Sequence, residues 1–216
     1  MGAVEFITRV IENALSHPAL FDLQQRVCNS YAILRQLFSA QLEAKGLRVL
    51  DMGCSTGACA DGLLSLRDNA YTGIDLNERY LAYALKRRPH GQFLRADASR
   101  LDFPDESFDI VMLLGMLHHN EDAVAARCLA EAGRVLRPDG AILVAEPTFD
   151  QDSILSSFLL CLDRGRHIRC PEGYESLFGS LVIKTKGLSR TAHKMAYYVL
   201  GKPCGIGQSG EPPHGS

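Results

Sequence analysis

Short apolar segments alternate with helical segments between residues 48 and 147, and this alternation limits the fold more than any other feature. Strand-like segments lie at 48–52, 70–75, 92–96, 108–115 and 141–147. Helix-forming segments lie between them at about 57–67, 77–88 and 121–136. Strands that alternate with helices form a parallel sheet covered by helices on both faces. The sequence therefore predicts a doubly wound α/β fold.

The sequence before this core is typical of helices. Within residues 1–46, Leu23, Val27, Tyr31 and Leu34 recur at helical spacing and define one stripe. This part of the chain is expected to form a helical cap on the core at 47–147.

The sequence after the core changes character. We expect a helix around 152–163, a short helix near 172–178, and two strands at 181–186 and 192–200. The two strands would form an antiparallel hairpin at one edge of the sheet, which brings the number of strands to seven. Residues 148–203 would thus supply substrate-side helices and the hairpin. Residues 1–203 are interpreted as one domain, followed at 204–216 by a disordered tail rich in Gly, Pro and Ser.

Charge and cysteine content argue against several classes of protein. The 23 Lys and Arg nearly balance the 25 Asp and Glu, so the chain lacks the basic excess of nucleic-acid-binding proteins. Its seven cysteines form no C-x-x-C pair or zinc-type spacing, which favours reduced thiols and no metal site. Glu5 and Arg9 interrupt any signal-peptide core, and no apolar run approaches the ~20 residues of a membrane span. We expect a cytoplasmic monomer or homodimer without a nucleic-acid or membrane partner.

The loop after the first strand, DMGCSTG, runs from Asp51 to Gly57 and is rich in small residues. Gly53 and Gly57 allow a tight turn and a close approach to a ligand. A dinucleotide-binding loop would also have glycine where this chain has Ser55 and Ala58. A P-loop would have Gly-Lys-Ser/Thr, which this loop lacks. The pattern disfavours a nicotinamide-dependent oxidoreductase.

Three acidic residues follow successive strands: Asp51, Asp75 and Asp97. A carboxylate at the carboxyl end of a strand can accept hydrogen bonds from a pair of ribose hydroxyls, and Asp75 has this position. Asp97 is placed to meet an exocyclic amine. Each residue alone could equally be a helix cap or a turn residue. All three, in register with the glycine loop, indicate a cofactor site.

Four segments together resemble the class I S-adenosylmethionine (SAM)-dependent methyltransferases: RVLDMGCSTG, YTGIDLNERYLAYA, FLRADASRLDFPDESFDIVMLLGMLHH and LAEAGRVLRPDGAILVAEP. The resemblance covers about residues 45–147 and is closest to small bacterial members of the methyltransferase-11 type. It implies a Rossmann-like fold, SAM as the cofactor and S-adenosylhomocysteine (SAH) as the product.

The resemblance also implies roles for individual residues. In the family, the glycine loop and its leading acid hold the methionine part of SAM, the next acid binds the ribose, and the third meets the adenine amine. Leu76 would pack on the adenine, and the backbone of Leu114 and Gly115 would meet the methionine amine. Ser55 replaces the family's middle glycine, which bears on the loop conformation. The cofactor-binding residues implied are Asp51, Gly53, Cys54, Ser55, Gly57, Asp75, Leu76, Asp97, Ala98, Leu114 and Gly115.

His118 and His119, just past the fourth strand, are the candidate catalytic bases, because imidazole titrates near neutrality. They could instead simply shape the loop. Glu146, at the end of the fifth strand, is a second candidate base, with a helix-start or loop role as the alternative. Alignment alone can drive much of a methyl transfer, so a base is optional.

The acceptor is expected beneath the N-terminal helices and residues 148–180. Arg166 and Arg169 lie in an Arg-rich segment that indicates a surface for an anionic group, with a plain solvated face as the alternative. The candidate substrate-binding residues are Tyr31, Glu146, Phe149, Arg166 and Arg169. Short cap segments favour a small-molecule acceptor methylated on O or N. Two alternatives stay open: a SAM-binding protein that catalyses a cyclisation or rearrangement, and a non-catalytic partner.

Overall fold

The computed structural model describes residues 17–27, 30–64, 68–149, 166–190 and 194–203. Two sequence predictions lie outside these residues, namely the helix around 152–163 and the disordered tail at 204–216. The first part of the predicted N-terminal cap lies outside them as well.

Seven strands form one sheet in the order β3-β2-β1-β4-β5-β7-β6. They are β1 (Arg48–Met52), β2 (Ala70–Asp75), β3 (Gln92–Arg95), β4 (Phe108–Leu114), β5 (Leu136–Pro147), β6 (Val182–Arg190) and β7 (Lys194–Gly201). Strands β1 to β5 are parallel, whereas β7 runs antiparallel to both β5 and β6. The predicted Rossmann-like, mostly parallel sheet with an antiparallel C-terminal hairpin is confirmed.

Seven helices are described: α1 (Pro18–Val27), α2 (Ser30–Leu37), α3 (Ser39–Leu42), α4 (Ala58–Leu63), α5 (Glu78–Arg87), α6 (Asp122–Val135) and α7 (Pro171–Glu175). A 3-10 turn at Leu117–His119 follows β4. The described part of the cap is helical, as predicted. Because it consists of separate helices, its apolar stripe is not continuous, and Leu23 is exposed whereas Leu34 is buried. None of the described helices is both long and apolar enough to cross a membrane.

The sheet has a hydrophobic core on each face. Along β1, Leu50 belongs to the core that α6 covers, and Val49 belongs to the opposite core. The cap contributes Leu34 and Phe38 to this second core. Successive residues of a strand point to opposite faces, so a strand covered on both sides is apolar along its buried length, as β4 is from Ile110 to Leu114. Burial on both faces fixes the positions of β1, β2 and β4 and of the loops that follow them.

Strand β5 begins earlier than its sequence indicates. The prediction that it starts at 141 was wrong, since it begins at Leu136 and continues through Pro138-Asp139-Gly140. Phe108 pairs with Leu136, and after a register shift Ile110 pairs with Ala141. Such a bulge accommodates residues that ordinarily end a strand. At Gly140 an added Cβ would lie 2.7 Å from the carbonyl oxygen of Asp109, so the close approach requires glycine.

Strand order reverses between β1 and β4, which are neighbours although two strands separate them in sequence. In an open α/β sheet, ligands bind beyond the carboxyl ends of the strands at such a switch point. The loops after β1, β2, β3 and β4 all begin at this edge.

Candidate cofactor and acceptor site

The loop after β1 has a left-handed backbone at alternate residues: Gly53 (φ 78°), Ser55 (φ 51°) and Gly57 (φ 72°). An added Cβ at Gly53 would lie 2.8 Å from Cγ of Met116, and one at Gly57 would lie 2.6 Å from the ring of Phe93. Ser55 adopts the left-handed conformation in place of the family's middle glycine, at a cost of about 1 kcal/mol or more. Ser55 therefore has a backbone conformation that glycine adopts without this cost.

Asp75 joins the loops after β1 and β2. Its Oδ2 accepts a hydrogen bond from the backbone N–H of Ser55 at 2.9 Å, and its Oδ1 accepts one from the N–H of Asn77 at 2.7 Å. Each carboxylate oxygen has a second lone pair, so Asp75 can accept further hydrogen bonds. The side chain is half-buried, and next to it Leu76 is 62% exposed. An acceptor beside an exposed apolar side chain suits the ribose and base of a nucleoside.

Asp97 is exposed and is held by Ser99 alone. Its Oδ1 accepts hydrogen bonds from the backbone N–H and the hydroxyl of Ser99, both at 2.8 Å, and these bonds lower the pKa of the carboxyl. In the part of the chain that the structure describes, nothing donates to its Oδ2. Ala98 beside it packs partly against the core. Asp97 therefore presents a charged, open oxygen at this edge.

Asp51 lies beneath the glycine loop and is only 2% exposed. Its Oδ2 accepts hydrogen bonds from the hydroxyl of Tyr71 at 2.5 Å and from the thiol of Cys59 at 2.6 Å. Burial raises the pKa of Asp51 to about 6, against the opposing effect of these two bonds. Burial also raises the pKa of both donors, so they keep their protons. The leading acid is thus more enclosed than the other two acids.

Two side chains of the loop differ in their surroundings. The Cys54 side chain is buried, and its sulfur lies 2.8 Å from the position of an added Cβ at Gly73. The Oγ of Ser55 is also buried, but it has no hydrogen-bond partner within the described ranges. An orphaned hydroxyl on the residue whose N–H donates to Asp75 fits a polar ligand, so the residues present fit SAM. No group of three metal-ligating side chains occurs in the described part of the chain.

The loop after β4 is anchored by Glu146, which is fully buried. Its Oε1 accepts hydrogen bonds from the N–H of Met116 (2.9 Å) and Leu117 (2.7 Å), and its Oε2 accepts one from the N–H of His118 (3.2 Å). The same Oε2 lies 2.7 Å from Nδ1 of His118. The expectation that Glu146 faces the substrate needs correction, because the unpaired N–H groups at the start of the 3-10 turn occupy both of its oxygens. Preceding this turn, Gly115 has φ 69° and donates to the carbonyl of Ala145 at 2.8 Å.

The imidazole of His118 is 3% exposed, and its contact with Glu146 sets its tautomer. A carboxylate can only accept a hydrogen bond, so Nδ1 carries the hydrogen and donates it, and in neutral His118 the acceptor nitrogen is Nε2. His119 is exposed, and its ring centroid lies 4.1 Å from that of His118. The structure therefore places both candidate bases on one turn, with only the first oriented by Glu146.

Arg169 also holds the loop after β4. The sequence predicts that this residue binds an anionic group. Its five N–H donors are directed to the Asp122 carboxylate (2.9 and 2.7 Å) and to the carbonyls of Leu117 (3.2 Å), Asn120 (2.7 Å) and His167 (2.8 Å). The expectation of a substrate anion on Arg169 is thus corrected: the guanidinium has no donor left for an anion. Arg166 is exposed.

The two aromatic candidates for the acceptor lie in different settings. Tyr31 of α2 packs on α4, where an added Cβ at Gly62 would lie 2.5 Å from the Cβ of Tyr31. Burial raises the pKa of the Tyr31 hydroxyl. Phe149, after β5, is exposed. These side chains and Arg166 do not form one cluster with Glu146 and Arg169 in the described contacts.

Three further polar residues are buried near the glycine loop, and the sequence carries no local signal for them. Asp22, Thr56 and Arg88 contact one another across 32 to 66 residues of sequence. Their types are common on surfaces, so only the fold identifies them.

Comparison with known proteins finds similar sequences for part of the chain. Residues 49–140 match the family described as "Methyltransferase domain". The fatty-acid O-methyltransferase of Mycolicibacterium smegmatis is 37% identical over 132 residues, covering 56% of this chain and 46% of that protein. The phthiotriol/phenolphthiotriol dimycocerosates methyltransferase 1 of Mycobacterium ulcerans is 38% identical over 111 residues (50% and 40%). The 27-O-demethylrifamycin SV methyltransferase of Amycolatopsis mediterranei is 36% identical over 107 residues (47% and 39%). The chain thus spans less than half the length of these curated relatives.

Solved structures share the fold. The PH0226 protein of Pyrococcus horikoshii superposes with a TM-score of 0.65 at 21% identity, covering 79% of this chain and 88% of that one. The [4+2]-cyclase SpnF gives 0.64 at 22% identity (80% and 80%). A SAM-dependent methyltransferase of Methanosarcina mazei gives 0.65 at 17% identity (77% and 97%). Together with the glycine loop and the strand-end acids, these results show that residues 49–140 are similar to a methyltransferase domain and that the chain shares its fold with SAM-dependent methyltransferases.

Proposed function

We propose that this protein transfers a methyl group from SAM to an oxygen or nitrogen of a small-molecule acceptor by direct displacement, releasing SAH. The observation that carries the proposal is the meeting of two groups of residues at one sheet edge. Asp75 and Asp97 end or follow β2 and β3, and the turn bearing His118 follows β4. A cofactor held by the first group and an acceptor held near the second would lie side by side.

On the cofactor side, we assign Asp75 to the ribose hydroxyls and Asp97 to the adenine amine. Leu76 would pack on the adenine, and the backbone of Leu114 and Gly115 would meet the methionine amine. The glycine loop from Asp51 to Gly57, with Ser55 at its middle, encloses the methionine part. Bound SAM supplies an electrophilic methyl group on a positively charged sulfur.

On the acceptor side, His118 is the first candidate for the base. Glu146 orients the imidazole through Nδ1, so Nε2 takes the proton from an acceptor hydroxyl or ammonium, and the carboxylate stabilises the imidazolium that forms. The acceptor's lone pair forms the new bond to carbon while the carbon–sulfur electrons stay on sulfur. His119, exposed and adjacent, is the second candidate.

The relatives support oxygen as the methylated atom, since two of them are a fatty-acid O-methyltransferase and a 27-O-demethylrifamycin SV methyltransferase. Both names also describe small-molecule acceptors.

The nearly balanced charge, 23 Lys and Arg against 25 Asp and Glu, supports a protein without a nucleic-acid partner. We further propose that it acts in the cytoplasm as a monomer or homodimer, which light scattering would distinguish.

A second candidate function keeps the cofactor but not the methyl transfer. The fold is shared with a [4+2]-cyclase, so a cyclisation or rearrangement is compatible with this architecture. The two functions differ in one product, because only methyl transfer releases SAH.

The first experiment is isothermal titration of the folded protein with SAM, SAH and NADH. We expect micromolar binding of SAM and SAH and none of NADH. Absence of SAM binding would overturn the assignment of the cofactor. If SAM binds, hydroxyl and amine acceptors are screened by SAH release. Turnover supports methyl transfer, whereas an acceptor consumed without SAH supports the second function.

The base is tested once an acceptor is known. His118→Ala should lower kcat about 10²-fold or more while the Kd of SAM is kept, and His119→Ala should have the smaller effect. Glu146→Gln should lower kcat and alter the pH profile, because the glutamine NH₂ cannot accept from Nδ1–H. Unchanged turnover in both histidine variants would leave alignment as the source of catalysis.

A further inference from the structure

A buried polar network joins the cap to the glycine loop. Asp22 of α1, Thr56 of the loop and Arg88, which follows α5, are 4%, 0% and 3% exposed. They come from three separate parts of the sequence. The cap therefore contacts the cofactor loop through charged and hydroxyl groups as well as through apolar packing.

Thr56 is held through its hydroxyl and through its carbonyl oxygen. Its hydroxyl donates to Oδ1 of Asp22, and its carbonyl oxygen accepts a hydrogen bond from Nη1 of Arg88 at 2.8 Å. Nη2 of Arg88 lies 3.5 Å from Oδ2 of Asp22 and 2.8 Å from Oδ2 of Asp61. Asp22 and Arg88 thus fix the side chain and the backbone of one loop residue.

The residue so held lies where the loop needs the most support. Thr56 stands between Ser55 and Gly57, which both have left-handed φ angles. A non-glycine residue at positive φ persists only when its surroundings impose that conformation. The N–H of Ser55 is held by Asp75 from one side, and Thr56 is held by Asp22 and Arg88 from the other.

Stabilisation of the fold does not by itself explain this network. Nε of Arg88 is buried and has no hydrogen-bond partner in the described residues. Buried charges with incomplete hydrogen bonding contribute little net stability, and apolar residues of similar size often do better. The arrangement is better explained by the loop geometry that it imposes.

We propose that Asp22 and Arg88 are positioning residues for the cofactor, which act through Thr56 to hold the glycine loop in its SAM-binding conformation and link the docking of α1 to SAM binding. The proposal rests on SAM as the cofactor and does not require any particular acceptor. By thermodynamic linkage, if docking of α1 strengthens SAM binding, SAM binding must strengthen the docking of α1 by the same factor.

The decisive variants are at Thr56, a loop residue whose hydroxyl donates to Asp22. Thr56→Val keeps the shape and removes the hydroxyl, whereas Thr56→Ser keeps the hydroxyl. Asp61→Asn is the matched control for charge, since Asp61 contacts the same guanidinium with a side chain that is 50% exposed. Circular dichroism and thermal unfolding establish that each variant is folded.

Isothermal titration with SAM and with SAH gives the first readout. Thr56→Val and Asp22→Asn should each raise the Kd about 10-fold, as expected when a hydrogen bond to a charged group is lost. Thr56→Ser and Asp61→Asn should stay within about 2-fold of the parent protein. Unchanged Kd values for Thr56→Val and Asp22→Asn overturn the proposal, as does equal weakening by all four variants, which would indicate general destabilisation.

Hydrogen exchange of residues 18–27 gives the second readout and requires no turnover. In the parent protein, saturating SAM should slow exchange in α1. In Thr56→Val the slowing should be lost even when SAM saturates the site. Equal slowing in both proteins, or none in the parent protein, contradicts the linkage between α1 and the cofactor.

Discussion

The two halves of the site use their charged residues differently. Beyond β2 and β3, Asp75 can still accept hydrogen bonds, and Oδ2 of Asp97 has no donor in the described residues. Beyond β4 and β5, the polar atoms of Glu146 and Arg169 are all occupied by neighbouring backbone and side chains. A charged residue at a strand end thus remains available to a ligand only where the adjacent loop does not bind it first.

The loops themselves explain the difference. The loop after β2 leads into α5, whose first N–H groups are capped by Asn77, so Asp75 is not needed there as a helix cap. The loop after β4 contains only a three-residue 3-10 turn, which leaves most of its N–H and C=O groups without internal partners. Glu146 accepts from the N–H groups, and Arg169 donates to the carbonyls. The loop after β4 is therefore held by more side-chain hydrogen bonds than the loop after β2.

The largest expected effect tests this contrast within the Arg-rich segment. Arg169→Ala should lower the free energy of unfolding by about 3 kcal/mol, because the carbonyl of Asn120 loses its side-chain donor, that of Leu117 loses one of two donors, and Asp122 loses its ion pair. Arg166→Ala, at an exposed position, should change it by less than about 0.5 kcal/mol. Urea denaturation measures both. If Arg169→Ala and Arg166→Ala change stability equally and also raise the KM of an anionic acceptor equally, the two arginines form a shared anion site after all.

Asp75→Ala should produce the next largest effect, on the cofactor half. It removes the acceptor that holds the N–H of Ser55 and that we assign to the ribose hydroxyls, so the Kd of SAM should rise about 100-fold. Glu78→Ala is the control, since Glu78 is a neighbouring exposed acid paired with Arg95. If Glu78→Ala raises the Kd of SAM as much as Asp75→Ala does, the effect comes from the net charge of the protein and not from contact of Asp75 with the cofactor.

These contrasts also separate what the sequence could predict from what it could not. The strands and the hairpin follow from local apolar segments, and Asp75 and Asp97 follow from their positions at strand ends. The contacts of Arg169 with Asp122, and of Thr56 with Asp22, join residues 47 and 34 apart. No local pattern specifies such pairs. The early start of β5 was missed for the same reason, because the bulge depends on pairing with β4.

Asp97→Asn should have a moderate effect on SAM binding and little effect on stability. The amide keeps an oxygen that can accept from Ser99, but its NH₂ would face the adenine amine, donor against donor. We expect a Kd about 10-fold higher and an unchanged Tm, because the side chain is exposed. Asp102→Asn, an exposed acid nearby in sequence, is the control. A fall in Tm without a change in Kd would make Asp97 a structural turn residue.

The smallest expected effect is on the pH dependence of stability, and it comes from Asp51, the acid enclosed beneath the glycine loop. Burial raises its pKa to about 6, above the unfolded value near 4, so between these pH values the folded protein binds the extra proton. The contribution of Asp51 to the stability of the cofactor-free protein should therefore fall as pH rises from 4.5 to 7, so over this range the parent protein should lose about 1–2 kcal/mol relative to Asp51→Asn. Urea denaturation of both proteins at the two pH values measures the difference. If the two proteins lose stability equally, Asp51 is already ionised beneath the loop, and Tyr71 and Cys59 fully compensate its burial.

Since bound SAM would bring a positive charge towards Asp51, adding SAM at pH 7 should stabilise the parent protein more than Asp51→Asn.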